Sequence, residues 1–559
     1  MNFYSDNKSL KFYLNHPEMK KTVVLKENNF ADHGKYADAP ATAEEGLEHY
    51  DLVMDLVGEI AGNVLAPNAE SVDQEGPHIE NNQVIYAAGT KANHEALRDA
   101  GLYGMTLPRQ YNGLNLGYVP NVMAAEIISR ADPGFANIWG LQECAETVNE
   151  FGCDALKEKF LPRIRQGVTC SMDLTEPDAG SDLQAVRLKA TWDEQSNCWR
   201  LNGVKRFITN GGAELHLVLA RSEEGTTDGR GLSYFLYDRA DGGLTVRRLE
   251  NKMGIHGSPT AELVFKNAPC QIVGDRKLGL IKYVMALMNG ARLGVAAQSV
   301  GLAEAAYREA ELYASQREQF GVTIDKFAQV QDLLRDMRTR IDASRSLLYE
   351  TSRKVDITKS YEAIMKTRSL TAEERADMKA NSRQADILTP MVKLMAAEWA
   401  NQVAYDSIQI HGGSGFMREY ACERLYRDAR ILTIYEGTSQ LQVVAAVKGI
   451  ANGSYLKTAE AYDAELETIL AGEVENKEEI IRLRTQLQKM MADYRSLDEA
   501  TKGMEVRPDR RLTESLAYII MGYLLLLDST RCSCFLDSCR NLIVMGKGEI
   551  AKHIACVMQ

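Results

Sequence analysis

The segment "RLKATWDEQSNCWRLNGVKRFIT" (residues 187–209) is the clearest break in the helical pattern of this chain. It alternates β-branched and aromatic residues with polar ones, and Asn and Gly interrupt it. Similar short runs follow it as far as Gly274: "LHLVLARS", "LSYFLYD" and "AELVFKN". Together they predict an antiparallel β domain over residues 168–277.

Helical periodicity surrounds this β domain on both sides. "HYDLVMDLVGEIAGNVLAP" (residues 49–67) and "GARLGVAAQSVGLAEAAYREAELYASQ" (residues 290–316) place apolar residues at helical spacing. The fold class is therefore mainly α with a central antiparallel β domain clasped between helical lobes. The other predicted segments are a leader (1–46), an N-terminal α domain (47–167), a helical bundle (278–452) with a polar insertion (356–384), and a helical extension (453–559).

Composition and charge exclude some classes of protein. With 559 residues and a net charge of -12, the chain is long enough for several domains and is a poor match for a nucleic-acid-binding protein. The start lacks the basic and apolar segments of a secretory signal. The longest apolar run, residues 516–527, is shorter than the about 20 residues that span a bilayer, so it predicts a buried core helix and no membrane span.

The ten cysteines are scattered, except for "RCSCFLDSC" (residues 531–539). Their spacing fits no standard zinc pattern, so no metal site is predicted. Buried, reduced cysteines in a cytoplasmic protein are the expected state. In the same extension Leu483, Leu487, Met490 and Tyr494 share one helix face, which predicts a packed helix.

Several polar, glycine-bearing stretches lie between the periodic segments, where ligands tend to bind. Their small residues and exposed amides suit a flat or phosphorylated ligand. No strand–GxGxxG–helix or GxxxxGK[ST] pattern occurs, which argues against Rossmann-type and P-loop sites. The stretches are "LPRQYNGLNLG" (107–117), "MDLTEPDAGSD" (172–182), "FITNGG" (207–212), "ASQREQFG" (314–321), "QIHGGSGFMREY" (409–420) and "ILTIYEGTSQLQ" (431–442).

The last stretch contains a carboxylate, Glu436, after a mostly apolar run and before Gly-Thr-Ser. A buried carboxylate is costly unless it is paired or used. Glu436 is therefore either a solvated turn residue before a helix cap or a functional acid. Arg292, which heads an apolar helix, is either a solvated arginine or the partner of a carboxylate, for which Glu436 is one candidate.

In this order and spacing, the motifs resemble the acyl-CoA dehydrogenase family from about Leu47 to Ile450. The resemblance implies an N-terminal α domain, a middle β domain of barrel or sandwich type and a C-terminal four-helix domain. It also implies FAD bound between the β domain and the C-terminal helices, with a neighbouring subunit completing the site. The leader and the helical extension resemble those of larger members, which favours a homodimer over a tetramer.

The resemblance implies a reaction as well. Glu436 corresponds to the family's catalytic base, which removes the α proton of an acyl-CoA thioester while flavin N5 accepts the β hydride, giving trans-2-enoyl-CoA. Electrons would pass to an electron-transfer flavoprotein, as in fatty acid β-oxidation. Two alternatives stay open: an acyl-CoA oxidase that uses oxygen, and a non-catalytic regulator that keeps the flavin fold. The acidic net charge and the presence of Glu436 argue against the regulator.

Site residues are carried over only where the motifs match. The implied FAD contacts are Leu174, Thr175, Ser181, Phe207, Thr209, Arg317, Gln319, Phe320, Gln409, Gly412, Gly413, Thr438 and Gln440, and the implied substrate contacts are Ser181, Asn289, Arg292 and Gly437. Arg317 and Phe320 match a pair that reaches the FAD of a partner subunit. Phe207 stands where the family commonly has tryptophan, so the flavin environment is expected to differ there. Gly437 is expected to leave room for the thioester.

Overall fold

The computed structural model describes residues Met1–Val557. The chain forms two compact units, Met1–Gly294 and Val295–Gln559. About two thirds of the structure, 64%, is helical, and the β domain lies in the middle of the sequence, as predicted. The helices and the hairpin of the first unit are α1 (Lys8–Leu14), α2 (Met19–Lys26), α3 (Ala43–Ile60), α4 (Ala66–Glu75), β1 (His78–Glu80), β2 (Gln83–Ile85), α5 (Ala88–Asp99), α6 (Tyr118–Ala131), α7 (Pro133–Gly140), α8 (Cys144–Phe151) and α9 (Asp154–Arg165).

The start of the chain packs against two glycines, Gly58 near the end of α3 and Gly62 just after it. A Cβ atom on Gly58 would lie 2.5 Å from the backbone nitrogen of Tyr4, and one on Gly62 would lie 2.9 Å from the carbonyl carbon of Met1. Both distances are shorter than real Cβ contacts, so the close approach depends on glycine at these positions. Tyr4 is fully buried there. The first residues of the predicted leader are thus part of the packed structure.

Strands β3 to β9 form one seven-stranded sheet in the order β3-β6-β4-β5-β9-β7, with β8 paired to β9. A further pairing between β6 and β7 closes five of them into a ring, which is the barrel type expected for this domain. These strands are β3 (Cys170–Asp173), β4 (Lys189–Asp193), β5 (Cys198–Thr209), β6 (Leu215–Arg221), β7 (Leu232–Asp238), β8 (Leu244–Leu249) and β9 (Thr260–Ile272).

The antiparallel prediction holds for most of this sheet but is wrong for one strand. β3 pairs with β6 in parallel, with Cys170 opposite Leu215, and Lys189 makes a single parallel bridge to Arg221. The β4–β5 hairpin lies between β3 and β6 in the sequence, so β3 joins β6 by a crossover. Alternation of apolar and polar residues shows which faces are buried but not strand direction, so the sequence pattern gave no sign of it.

The second unit contains the helical bundle and the C-terminal extension. α11 and α12 are long antiparallel neighbours, and the predicted polar insertion 356–384 consists of the end of α11, a short turn and the start of α12. Helix α10 (Met285–Gln316) begins in the first unit and belongs to the second unit from Val295 onward. The other elements of the second unit are β10 (Glu318–Gln319), β11 (Val322–Thr323), α11 (Ala328–Met365), α12 (Ala372–His411), α13 (Ala421–Ala429), α14 (Ser439–Ala451), α15 (Ser454–Leu470), α16 (Lys477–Thr501), α17 (Asp509–Arg531) and α18 (Leu536–Val557).

The extension packs on the bundle through α17 and α18. The hydroxyl of Ser346 on α11 donates to Asp528 of α17 at 2.5 Å, and Ser538 of α18 donates to Asp342 of α11 at 2.6 Å, all four side chains being buried. The apolar face predicted for α16 is confirmed, because all of its members are buried: Leu483, Leu487, Met490 and Tyr494.

Helix α17 holds the long apolar run. Its length and mean hydropathy of 1.3 would also fit a membrane span, but 89% of its most apolar stretch is buried inside the protein. Leu516 to Leu526 are buried, so the segment is a core helix, as predicted.

The expectation of reduced cysteines is wrong for one pair: Cys532 and Cys534 form a disulfide in the turn after α17. Their Cα atoms lie 5.3 Å apart, within the range that a disulfide spans.

Candidate active site

The loop that carries Glu436 lies between a short 3-10 turn, Arg430–Thr433, and the start of α14. Two consecutive residues have left-handed backbone, with φ of +53° at Glu436 and +87° at Gly437. Thr438 then caps α14, since its hydroxyl accepts from the backbone N–H of Leu441 at 3.3 Å. A glutamate in this conformation is strained, and strain of this kind clusters at functional positions.

Two buried side chains donate hydrogen bonds to the backbone carbonyls of this loop. The ammonium of Lys393 donates to the carbonyls of Leu432 and Gly437, each at 2.8 Å. The side-chain amide of Gln442 donates to the carbonyl of Gly437 at 2.8 Å and to that of Glu436 at 3.4 Å. Lys393 and Gln442 are both 0% exposed. The carboxylate of Glu436 is therefore carried by a backbone that is fixed on both sides.

Gly437 combines a positive φ with a close neighbour on the protein side. A Cβ atom at this position would lie 2.7 Å from the side-chain nitrogen of Gln442. Together with the positive φ, this contact explains why the residue is glycine. The sequence predicts a different reason for this glycine, namely room for the thioester of a substrate. That reason stays a prediction.

In the β domain, the "TEPDAGSD" loop follows β3 and is shaped by a buried ion pair. The ammonium of Lys205 donates to the carbonyl of Leu174 at 2.7 Å and to the carboxylate of Glu176 at 3.0 Å. Glu176 also accepts from the backbone N–H groups of Arg187 and Leu188, at 2.7 and 2.9 Å. Burial lowers the pKa of Lys205, and the neighbouring Glu176 opposes that effect.

The predicted flavin contacts of this domain come together at the ends of β3 and β5. The backbone N–H of Arg206 donates to the carbonyl of Thr175 at 2.9 Å, and the hydroxyl of Ser171 donates to the carbonyl of Thr209 at 3.1 Å. Thr175 is half-buried next to this junction. Leu174 lies beneath it and is buried, whereas Ser181, further along the loop, is exposed.

Phe207 is presented by an irregularity in β5. The register between β5 and β9 shifts between Lys205 and Ile208, and Phe207 has a φ of +59°. Its ring is 52% exposed, unusual for a phenylalanine, and the guanidinium of Arg206 lies over it at 4.7 Å from the ring centre. A bulge of this kind redirects a side chain out of the sheet, which leaves an aromatic surface open to a flat ligand.

The predicted substrate residues on α10 are neighbours. The guanidinium of Arg292 donates to the side-chain oxygen of Asn289 at 3.1 Å. Both belong to the first unit, at the beginning of α10, and Asn289 is exposed. A guanidinium oriented by an amide offers directed donors to the carbonyl or phosphate oxygens of a substrate.

In the second unit, the remaining predicted FAD contacts lie on exposed turns. Phe320 is 96% exposed at the tip of the β10–β11 hairpin and has a φ of +53°. The turn after α12 is open, because a Cβ atom on Gly412 or Gly413 would have no neighbour within 4 Å. Four other predicted contacts are also exposed, and they lie next to the hairpin, in the last turn of α12 and at the start of α14: Arg317, Gln319, Gln409 and Gln440. Thr438, which caps α14, is half-buried.

Tyr313 of α10 joins these two turns. Its ring stacks on His411 with ring centres 4.3 Å apart, and its hydroxyl donates to Ser414 at 3.2 Å. The hairpin begins five residues after Tyr313, since β10 follows Arg317 directly. The contact therefore fixes the "ASQREQFG" and "QIHGGSG" motifs beside one another within this unit.

Each unit, taken by itself, carries groups that fit part of FAD. The β domain offers hydroxyls and an exposed aromatic ring that suit a flat ring system. The second unit offers a guanidinium and two open glycines that suit a pyrophosphate. Within residues Met1–Val557, no group of three or more His, Cys, Asp or Glu side chains could hold a metal ion.

Four residues that support the site were not predicted from the sequence: Lys205, Glu176, Lys393 and Gln442. Signals for two of them were present. Lys205 lies four residues after the buried Leu201, so the alternation of a strand predicts that both face the same side of β5. Lys393 is the one basic residue in "TPMVKLMAAEW" (residues 389–399). A lone charge on a buried face predicts a specific partner.

Sequence models of four domains match almost the whole chain. They are the acyl-CoA dehydrogenase N-terminal domain (residues 48–168), middle domain (171–268) and C-terminal domain (281–450), and a domain described as acyl-CoA dehydrogenase C terminal (451–559). The 3-(aryl)acrylate reductase of Clostridium sporogenes is 34% identical over 402 residues, covering 71% of this chain and 96% of that protein.

Two solved structures show the same fold. A chain in a structure described as the electron transferring flavoprotein of Acidaminococcus fermentans is 31% identical, with a TM-score of 0.62, and the match covers 72% of this chain and 97% of that one. The acyl-CoA dehydrogenase of Bacillus anthracis complexed with FAD is 24% identical, with a TM-score of 0.73, and the match covers 91% and 88%. This second match extends over the helical extension. The chain belongs to the acyl-CoA dehydrogenase family and is an FAD-dependent oxidoreductase.

Proposed function

We propose that this enzyme catalyses the α,β-dehydrogenation of an acyl-CoA thioester to a trans-2-enoyl-CoA, with Glu436 as the catalytic base. The observation that carries the proposal is the carboxylate of Glu436 on a left-handed loop that Lys393 and Gln442 fix through its carbonyls. A general base works only when it is held within reach of the proton that it removes. The loop supplies that fixed position.

The α proton of a thioester is a weak acid, so its removal needs a positioned base and stabilisation of the enolate oxygen. A carboxylate oxygen of Glu436 would accept the proton. FAD, when bound, supplies the acceptor for the hydride that leaves the β carbon. Asn289 and Arg292 would bind the substrate, and the absence of a Cβ atom at Gly437 would leave the thioester side of the loop clear.

The same proposal includes the electron acceptor and the assembly. An electron-transfer flavoprotein is the proposed acceptor, supported by the structural likeness to a chain from a structure described as an electron transferring flavoprotein. A homodimer is the proposed assembly, supported by Phe320, which is 96% exposed on a hairpin whose family counterparts reach a partner subunit. Fatty acid β-oxidation is the proposed context.

The decisive experiment is anaerobic titration of the purified flavoenzyme with acyl-CoAs of increasing chain length. Bleaching of the flavin by at least one of them is expected. Because one relative is named a reductase, the reduced enzyme is also mixed with enoyl-CoAs. Reaction in neither direction would refute the proposal. Reoxidation in air at the rate of turnover, without an electron-transfer flavoprotein, would favour an oxidase.

Glu436→Gln tests the base. The variant keeps the size of the side chain but cannot take up the proton, so the rate of flavin reduction should fall by about 10²–10⁴-fold, the usual contribution of a general base. Flavin content should stay unchanged. Glu478→Gln, an exposed acid on α16, is the matched control. Full activity of Glu436→Gln would remove Glu436 from the role of base.

A further inference from the structure

Lys393 is a buried cation in an apolar part of α12. Its side chain is 0% exposed, and Met391, Val392 and Leu394 around it in the sequence are also fully buried. Burying an ammonium is unfavourable unless hydrogen bonds compensate for the lost water. The burial of Lys393 therefore indicates that its ammonium makes hydrogen bonds on which the local structure depends.

The donors of Lys393 reach both sides of the base loop. Leu432 precedes Glu436 by four residues and Gly437 follows it directly, and both carbonyls lie 2.8 Å from the same ammonium. One side chain thus bonds to the backbone both before and after the residue that carries the carboxylate. The carbonyl of Gly437 receives a second bond, 2.8 Å from the amide of Gln442 on α14.

The conformation held in this way is strained. Left-handed backbone is unfavourable at a residue with a side chain, and such strain persists only where the surroundings enforce it. Glu436 has that conformation, with a φ of +53°. Without the link, the segment would relax to an ordinary φ and the carboxylate would move away from its present position.

We propose that Lys393 is the positioning residue of the catalytic base. Lys393 does not contact the substrate in this proposal; it acts through Glu436 by holding the two carbonyls on either side. The inference rests on the proposed function, in which Glu436 removes the α proton. It predicts that loss of the ammonium slows proton removal and leaves the binding of FAD and of acyl-CoA nearly unchanged.

Lys393→Met in the FAD-loaded enzyme is the direct test, because methionine fills much of the same space without donors. A displacement near 1 Å of a reacting group can cost about 10²-fold, so we expect a fall of that size in the rate of flavin reduction at saturating acyl-CoA. KM and flavin content should stay close to those of the control. Proton removal should become more rate-limiting, which raises the isotope effect on kcat with α-deuterated acyl-CoA. Lys379→Met, exposed on the same helix, is the control.

Hydrogen exchange provides a readout that does not depend on turnover. Backbone amides of residues 434–438 should exchange faster in Lys393→Met than in Lys379→Met, while the rest of α12 and α14 is unchanged. If the wild-type enzyme reacts with no acyl-CoA or enoyl-CoA, the proposed function fails, and the exchange comparison still decides whether Lys393 holds the loop.

A second variant keeps the proposal testable if Lys393→Met does not fold. Gln442→Met removes the other donor to the carbonyl of Gly437, and it should lower kcat in the same direction with little change in KM. The proposal is overturned if the soluble variants reduce their flavin at the control rate. It is equally overturned if the fall in rate only follows a loss of bound flavin and of thermal stability, since that would indicate a purely structural role.

Discussion

The ammonium of Lys205 and the carboxylate of Glu176 meet at 3.0 Å inside the β domain, and the lysine side chain is 0% exposed. This pair lies under the loop that carries Thr175 and Ser181. Removing one member of a buried ion pair leaves the other charge without compensation, at a cost of about 3–5 kcal/mol.

We therefore expect Lys205→Met to lower the free energy of unfolding by about 3–5 kcal/mol and to weaken FAD retention. Urea denaturation and the flavin absorbance of the purified protein measure the two effects. Lys189→Met, exposed on β4 of the same domain, is the control and should change neither quantity. Normal flavin content together with lowered stability would show that the pair supports the domain but not the FAD site.

Gly437→Ala and Gly453→Ala form a matched pair. Both glycines have positive φ, +87° and +70°, so each alanine variant should lose about 1 kcal/mol of stability from backbone strain. Only at Gly437 would the new Cβ meet a neighbour, the amide of Gln442 at 2.7 Å. We expect kcat to fall at least tenfold in Gly437→Ala alone. Equal activity of the two variants would show that the loop absorbs the extra atom.

Arg317→Ala should lower flavin content, because the exposed guanidinium is the predicted partner of the FAD pyrophosphate. The effect is measured as the ratio of flavin to protein after purification and as the Kd for added FAD. Arg335→Ala, exposed on α11, is the control. Unchanged FAD affinity in Arg317→Ala would count against the role of the hairpin.

The buried carboxyl of Glu304 should make the stability of the second unit depend on pH. Burial alone would raise its pKa, but Arg338, Arg345 and Arg308 hold the pKa of this carboxyl well below its ordinary value of 4.5. A depressed pKa contributes stability that is fully present above about pH 4.5 and is lost as the pH falls toward the folded-state pKa. Asp342 in the same cluster has its pKa raised by burial and contributes in the opposite direction.

Glu304→Gln isolates that contribution. We expect the variant to be less stable than wild type at neutral pH and the difference between the two proteins to shrink as the pH falls below 4.5. Urea denaturation over a series of pH values measures it. A difference that stays constant across that range would mean that the pKa of Glu304 is not depressed.

The order of helical and strand regions could be predicted because periodicity is a local property. The change near residue 168 and the buried face of α16 both follow from the spacing of apolar residues. The parallel pairing of β3 with β6 could not be predicted, since strand direction depends on a distant partner. The Cys532–Cys534 disulfide was missed because scattered cysteines gave no framework.

For the site, the sequence predicts residues that contact ligands, but it did not predict the residues that hold the site in place. Glu436, Thr175 and Phe207 lie in recognisable motifs. Lys393 is 43 residues before Glu436, and only the fold shows that its ammonium reaches the carbonyl of Gly437. Supporting contacts of this kind depend on packing, which short motifs do not encode.

The hydroxyl contacts between α11 and the last two helices have a consequence for how the second unit comes apart. Because Asp528 and Asp342 are buried against serines of the facing helices, the extension and the bundle share one interior. Melting or proteolytic trimming of α17 and α18 would leave α11 uncovered and expose buried carboxylates. We therefore expect the bundle and the extension to unfold together, so that removing the C-terminal hundred or so residues would destabilise the dehydrogenase bundle itself.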